Sequence, residues 1–223
     1  HLLSNRKKYL KPLQDRGMKV LLGIVGNHDR AAVGNLADPT AKAFAQEVKA
    51  MCEAYQLDGV FMDDEHSSEM HPAPLGFVDS SSKAAARLCY EIKQAMPERI
   101  IAVYVYKTTY SLPSVDGHLA GEYVDYGIHD YGRSSDLSGN YPGMPKAHMA
   151  LWSQEFHNQI GTEVTEEQLR NARNNGYLSH MIFAMDPMRQ GFEVSELLEM
   201  QKIAKAYFDD ELVYDGKPYK KDW

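Results

Sequence analysis

Short apolar runs alternate along the chain with longer segments in which apolar residues recur every three or four positions. The apolar runs predict six strands, Lys19–Gly26, Leu57–Glu65, Ile100–Tyr106, Tyr123–Tyr131, Met149–Gln154 and His180–Asp186. The amphipathic segments predict helices over residues 3–16, from Asp38 to about Tyr55, and over Ser80–Met96, Thr165–Asn175 and Glu193–Phe208. Buried strands that alternate with helices are typical of a parallel sheet in an α/β protein.

The predicted strands share one design, because each of them ends in polar side chains. These are Asn27 and His28, Asp63 and Glu65, Lys107, Asp130 and Tyr131, Gln154 and Glu155, and Asp186. Carboxyl ends of many parallel strands that together form one polar face are typical of a (β/α)8 (TIM) barrel. An open doubly wound sheet would carry a glycine-rich phosphate loop, and residues 23–26 lack the spacing for one. No repeat or linker interrupts the pattern, so a single domain over residues 1–223 is expected.

The stretch Leu57–Glu65 carries the densest candidate chemistry. Side chains alternate along a strand, so Asp63 and Glu65 are expected on one face and Asp64 on the other. Repulsion between Asp63 and Glu65 should keep one of them protonated near neutral pH. The sequence therefore predicts an acid/base pair at the end of this strand, against the alternative that both are ordinary charges at the rim of the sheet.

Composition narrows the possible partners. The 223 residues carry a formal net charge of -7, which argues against nucleic acid as a partner. No apolar run approaches the roughly 20 residues that a membrane-spanning helix needs. The two cysteines, Cys52 and Cys89, fall within helical patterns, so they are expected to be buried, unpaired thiols.

A metal site is the main competing interpretation of the acidic cluster. Asp63, Asp64, Glu65 and His66 follow one another, and His71 is near in sequence. Adjacent strand residues point apart, however, and no HExxH or similar spacing occurs. We therefore expect no metal and no cofactor.

The stretch LDGVFMDDE resembles the DxxDxDxE signature of glycoside hydrolase family 18. Asp58, Asp63 and Glu65 match this signature, while Phe61 stands where the family has its second acid. Three further segments, VLLGIVGNHD, VDYGIHDYG and HMIFAMD, are similar to strands of the endo-β-N-acetylglucosaminidase subgroup related to endoglycosidase H. In that family the signature lies on the fourth strand of the barrel. The resemblance thus implies a barrel of which this chain holds six of the eight strands, the two N-terminal strands being absent.

The resemblance implies a retaining endo-β-N-acetylglucosaminidase that cleaves the chitobiose core of high-mannose N-glycans. The nucleophile in such enzymes is the 2-acetamido oxygen of the substrate itself. Glu65 is then the general acid and base, Asp63 holds the acetamido N–H, and Tyr131 donates a hydrogen bond to the acetamido oxygen. A chitinase and a non-catalytic carbohydrate-binding protein of the same fold are the alternatives. The retained Glu65 favours an enzyme over the binding protein.

Five more residues are candidates for contacts with sugar, namely Asn27, His28, Asp130, Gln154 and Asp186. Asn27 and His28 fit a loop-stabilising role equally well. Near Tyr131, ideal alternation favours His129 as the inward residue, whereas the resemblance favours Asp130. The resemblance implies an N-glycan or glycoprotein as the partner and a location outside the cytoplasm. We expect the protein to be a monomer.

Overall fold

The computed structural model describes residues 1–26 and 30–217. These residues form six strands, β1 (Leu21–Val25), β2 (Gly59–Asp63), β3 (Ile100–Val105), β4 (Tyr126–His129), β5 (Met149–Glu155) and β6 (Ser179–Phe183). Their α-helices are α1 (Arg6–Tyr9), α2 (Lys11–Gln14), α3 (Asp38–Tyr55), α4 (Ser82–Ala95), α5 (Ala120–Tyr123), α6 (Glu166–Asn174) and α7 (Glu196–Phe208). Strands and helices alternate, which confirms the predicted α/β class.

The contacts divide the chain into two compact units, residues 1–127 with 137–145 and residues 128–136 with 146–223. In the first unit, β1 pairs in parallel with β2, and β2 pairs in parallel with β3. Gly59 allows β2 and β3 to approach closely, because a Cβ at this position would lie 1.9 Å from the Ile100 carbonyl oxygen. Glycine at the first position of β2 is therefore a steric requirement of the parallel pairing.

The core of the first unit lies between its strands and the helices α3 and α4, which contact each other. Val60 and Met62 of β2 are fully buried, as are Cys52 of α3 and Cys89 of α4. Burial of each large apolar side chain contributes roughly 1.5–3 kcal/mol. The helix α4 begins at Ser82, two residues later than predicted, because Ser81 is its N-cap and its hydroxyl accepts a hydrogen bond from the Ala84 N–H (3.2 Å). Both cysteines are free thiols, as expected.

In the second unit, β5 pairs in parallel with β6, and α6 contacts α7. Its core consists of Phe156, Val164, Leu169, Ile203, Ala206 and Tyr207. The helix α6 begins with a capping box, in which the Thr165 hydroxyl accepts from the Gln168 N–H and the Gln168 side chain accepts from the Thr165 N–H. The strand β4 contributes two residues to each unit.

Two predicted elements are shaped differently in the structure. Residues 3–16 form two short helices, because Pro12 has no N–H and fits only in the first turn of a helix, here α2. The first strand was predicted to be buried on both faces, yet Val25 is 52% exposed. Within the described residues β1 pairs only with β2, which leaves it an edge strand of the first unit.

Candidate active site

The end of β2 presents three consecutive acids in three different environments. Asp63 is the last residue of the strand and is half-buried, Asp64 is fully buried, and Glu65 is exposed in a bend. The strand thus ends two residues earlier than predicted. Asp64 lies on the buried side with Val60 and Met62, and Asp63 lies on the opposite side with Phe61, as strand alternation requires.

Asp63 is held in a partly desolvated position. Its buried Oδ1 atom accepts no hydrogen bond from any described residue. Burial, followed by the negative charges of Glu65 and Asp64, raises the pKa of Asp63 to about 6. The expected repulsion between the two outer acids is therefore present, and the raised pKa falls on Asp63. Phe61, two residues earlier on the same side, offers no polar atom to this carboxylate.

Both carboxylate oxygens of Asp64, in contrast, accept hydrogen bonds. The Ser67 hydroxyl donates to its Oδ1 atom (2.5 Å), and the Thr108 hydroxyl donates to its Oδ2 atom. Next to it, the Lys107 ammonium group donates to the backbone carbonyl of Glu65. Sequence reasoning did not single out Ser67 or Thr108, and the only available signal was their place directly after strands.

Asp58, the first acid of the family signature, lies at the other end of β2. Its carboxylate accepts hydrogen bonds from the Val20 N–H and from the Gln14 amide, both at 2.8 Å. Burial opposes ionisation, yet these hydrogen bonds lower the pKa of Asp58 below its usual value. Asp58 therefore fixes the start of β2 against β1 and contributes no group to the acidic end.

In the second unit, Tyr131 follows β4 in a turn. Its ring stacks on Phe183, with 5.7 Å between ring centroids and 30° between planes. Asp130 accepts a hydrogen bond from the Tyr131 N–H (2.9 Å) and lies 3.6 Å from the Arg133 guanidinium. The strand ends at His129, so the ideal alternation that favoured His129 does not extend to Tyr131. His129 is buried and bonds to Ser135, while Asp130 is half-buried.

Gln154, a predicted sugar-binding residue, lies near the end of β5 and makes two hydrogen bonds within the second unit. Its side chain is fully buried, donates to Glu199 of α7 (3.0 Å) and accepts from His180 of β6 (2.8 Å). These contacts give Gln154 a structural role between β5, β6 and α7. Its contact with sugar stays a prediction.

The remaining candidates differ in what the structure describes. Asp186 lies in the turn after β6, half-buried, with its Oδ1 accepting from the Met188 N–H (3.0 Å). Asn27 and His28 lie outside the described residues. Among residues 1–26 and 30–217, no three His, Cys, Asp or Glu side chains converge as metal ligands would. No helix in this part of the chain has the length and apolar character needed to cross a bilayer.

Comparisons with known proteins give a consistent result. No protein-family profile matches the chain. The chain is 57% identical to endo-beta-N-acetylglucosaminidase F1 of Elizabethkingia meningoseptica over its entire length, which covers 66% of that protein. It is 27% identical over 157 residues to an endo-beta-N-acetylglucosaminidase of a Flavobacterium species, strain SK1022, covering 70% of this chain and 49% of that protein.

Two solved structures of EndoBT-3987 from Bacteroides thetaiotamicron superpose on 99% of the chain with a TM-score of 0.89. One contains a Man5GlcNAc product and shares 35% sequence identity with this chain, and the other contains a Man9GlcNAc2Asn substrate and shares 34%. The chain spans 50% of the protein chain in the first of these structures and 54% of that in the second. This similarity confirms the α/β barrel class predicted from the strand ends, with all six expected strands present.

Proposed function

Since this chain belongs to the endo-β-N-acetylglucosaminidases of glycoside hydrolase family 18, we propose that it cleaves the GlcNAc-β-1,4-GlcNAc core of N-glycans. The observation that carries the proposal is the end of β2, where a carboxylate with an unpartnered buried oxygen, Asp63, lies two residues from an exposed one, Glu65. High-mannose glycans are the proposed substrates, because the Bacteroides relative binds Man5GlcNAc and Man9GlcNAc2Asn.

Glu65 is the proposed general acid and base. Its exposed position at the end of β2 leaves the carboxyl group accessible to a glycosidic oxygen. As an acid it donates its proton to the leaving oxygen, and as a base it then takes a proton from the attacking water. Because both substitutions at the anomeric carbon occur with inversion, the product keeps the β configuration.

Asp63 is proposed to bind the acetamido group that acts as the nucleophile. An N–H donor from the substrate would supply the hydrogen bond that Oδ1 lacks in the described structure. This hydrogen bond and the positive charge of the oxazolinium intermediate both favour the ionised carboxylate, so substrate binding lowers the pKa of Asp63 from about 6. Phe61 offers no second carboxyl group to take the proton, so Asp63 exchanges it with solvent or with Glu65.

Tyr131 is proposed to donate its phenolic hydrogen to the acetamido oxygen and to aim that oxygen at the anomeric carbon. Stacking on Phe183 fixes the plane of its ring. Asp130, Asp186, Asn27 and His28 are proposed to bind hydroxyl groups of the glycan. Gln154 is fully buried, so its proposed contact with the glycan would require it to give up a hydrogen bond to Glu199 or His180.

The proposed setting follows from the substrate class. N-glycans are carried by glycoproteins, so we propose that the protein acts outside the cytoplasm, as a monomer and without a metal or cofactor. The catalytic scheme above uses only carboxyl and phenol groups of the chain and the acetamido group of the substrate.

The test is glycan release by the complete protein. A high-mannose glycoprotein is incubated with the enzyme, and both products are analysed by mass spectrometry. The proposal expects one GlcNAc to remain on the asparagine and one at the reducing end of the released glycan. Proton NMR at early times should show the β anomer first. A glycoprotein that keeps its intact glycan would overturn the proposal.

A further inference from the structure

Asp64 is a buried acid that the proposed reaction does not use. Its side chain is fully buried, and its two oxygens accept from the hydroxyl groups of Ser67 and Thr108. Among the described residues no cation pairs with it. Burial of a carboxyl group is unfavourable unless its oxygens are hydrogen-bonded, and both oxygens of Asp64 are bonded in this structure.

The hydrogen bond from the Ser67 hydroxyl to Asp64 is oriented by a third residue, Gly34. The Ser67 hydroxyl oxygen accepts a hydrogen bond from the Gly34 N–H (2.9 Å), so its own hydrogen is directed at the carboxyl group. Gly34 also lies against Thr108, because a Cβ at position 34 would be 2.2 Å from the Thr108 hydroxyl oxygen. The segments that follow β1, β2 and β3 therefore meet at this one carboxyl group.

The segment after β3 also holds Glu65 directly. Lys107 adopts a left-handed backbone conformation (φ 43°) and donates from its ammonium group to the Glu65 carbonyl. Thr108, the next residue, donates to Asp64. The backbone of Glu65 is thus fixed on both sides of its Cα, while its side chain remains exposed.

We propose that Asp64, Ser67 and Thr108 form a positioning clamp that sets the direction in which Glu65 leaves β2. The proposal rests on the proposed function of Glu65 as general acid. Proton transfer requires the acid within hydrogen-bond reach of the leaving oxygen, and a displacement of about 1 Å can cost roughly 100-fold in rate. Loss of the clamp should therefore weaken protonation of the leaving group more than it weakens glycan binding.

The test compares Thr108→Val with Thr108→Ser in the complete protein on two substrates. One is a high-mannose glycopeptide, whose leaving sugar needs a proton. The other is an aryl β-glycoside of the same glycan, whose leaving group needs none. Thr108→Val should lower kcat on the glycopeptide about 10- to 100-fold, with KM changed less than about threefold. On the aryl substrate kcat/KM reports departure of the aryl group and not the later attack of water, so it should fall less than about threefold. Thr108→Ser should restore the glycopeptide rate.

Two further variants separate positioning from folding. Ser67→Ala removes the other hydroxyl and should reproduce the dependence on the leaving group. Ser81→Ala is the matched control, since it removes a hydroxyl in the same unit that accepts from the Ala84 N–H at the start of α4 and is not one of the two donors to Asp64. It should lower Tm and leave kcat unchanged on both substrates.

The possible outcomes are distinct. Equal losses of kcat/KM on both substrates, or a wild-type rate for both Thr108→Val and Ser67→Ala on the glycopeptide, would overturn the clamp and leave the proposed function standing. A wild-type protein that releases no glycan would overturn both proposals.

Discussion

Asp63 and Asp64 are consecutive in the chain, yet their carboxyl groups lie on opposite sides of β2 in opposite surroundings. Asp64 is completely buried and accepts hydrogen bonds at both oxygens, whereas Asp63 has a buried oxygen without a partner among the described residues. Both oxygens of Asp64 already have hydrogen-bond donors that hold the group in place, whereas the buried oxygen of Asp63 can still accept a hydrogen bond from a ligand. This difference supports a structural role for Asp64 and the proposed substrate-binding role for Asp63.

The raised pKa of Asp63 predicts a pH-dependent loss of stability. The pKa of Asp63 is about 6 in the folded protein and about 3.8 in the unfolded chain, so the folded state keeps this proton up to a higher pH. Stability therefore falls as the pH rises through this interval. Asp63→Asn cannot ionise, so at about pH 7.5 its Tm should exceed that of the wild type by at least about 2 °C, a gap that closes near pH 4.

Calorimetry across this pH range measures the effect, with Asp210→Asn as the control at an exposed position. The same Asp63→Asn protein should lose at least about 100-fold in glycan release, because a neutral amide does not stabilise the oxazolinium charge. A Tm difference that is independent of pH would contradict the desolvated state of Asp63.

Tyr131→Phe removes only the phenolic hydroxyl. Stacking on Phe183 is retained, so Tm should change by less than about 2 °C. Without the donor to the acetamido oxygen, kcat should fall about 100-fold. Tyr177→Phe is the matched control, because its hydroxyl bonds to Asp136 (2.5 Å) in the same unit and should affect Tm more than kcat. Equal kcat for wild type and Tyr131→Phe would remove Tyr131 from the mechanism.

The half-buried His180 predicts a second pH effect of opposite sign. Burial lowers the pKa of His180 to about 4, from 6.5 in an unfolded chain. The unfolded state therefore takes up the proton first, and stability is lost as the pH falls from about 6.5 towards 4. His180→Gln can keep the hydrogen bond to Gln154 and should reduce this acid-induced loss. His157→Gln, at an exposed position, is the control and should have the Tm–pH curve of the wild type. If His180→Gln also had the wild-type curve, His180 would not be the source of the acid-induced loss of stability.

The fold class could be predicted because each strand is a short apolar run with a polar end, and hydrophobic periodicity alone identifies such elements. The first and last residues of the elements could not be predicted from the same pattern. β6 ends at Phe183 because Ala184 adopts a left-handed conformation (φ 58°), which its sequence does not signal. The predicted fourth strand began at Tyr123, but this residue belongs to α5, where its hydroxyl donates to the Pro113 carbonyl (2.5 Å).

The acidic end of β2 was predicted because strand alternation over five regular residues assigns faces correctly. The hydrogen bonds of Gln154 to Glu199 and His180 could not be predicted, because the hydrophobic pattern does not indicate which side chains of α7 and β6 lie against the end of β5. The partners of Asp64 were missed for a related reason. Ser67 and Thr108 come from different segments, and only the folded chain brings them to the same carboxyl group.

Glu65→Gln tests the central claim most directly. The amide keeps the size of the side chain but has no proton to give to the glycosidic oxygen. Glu65 is exposed, so Tm should remain that of the wild type. Glu69→Gln is the matched control, a nearby glutamate that is 73% exposed and faces His71.

The decisive measurement is the rate of glycan release from a high-mannose glycoprotein by the complete wild-type protein and these two variants. The general-acid role predicts that Glu65→Gln is slower by about 100- to 10,000-fold, while Glu69→Gln matches the wild type. A Glu65→Gln protein that releases glycan at the wild-type rate would contradict the assignment of Glu65 as the catalytic acid.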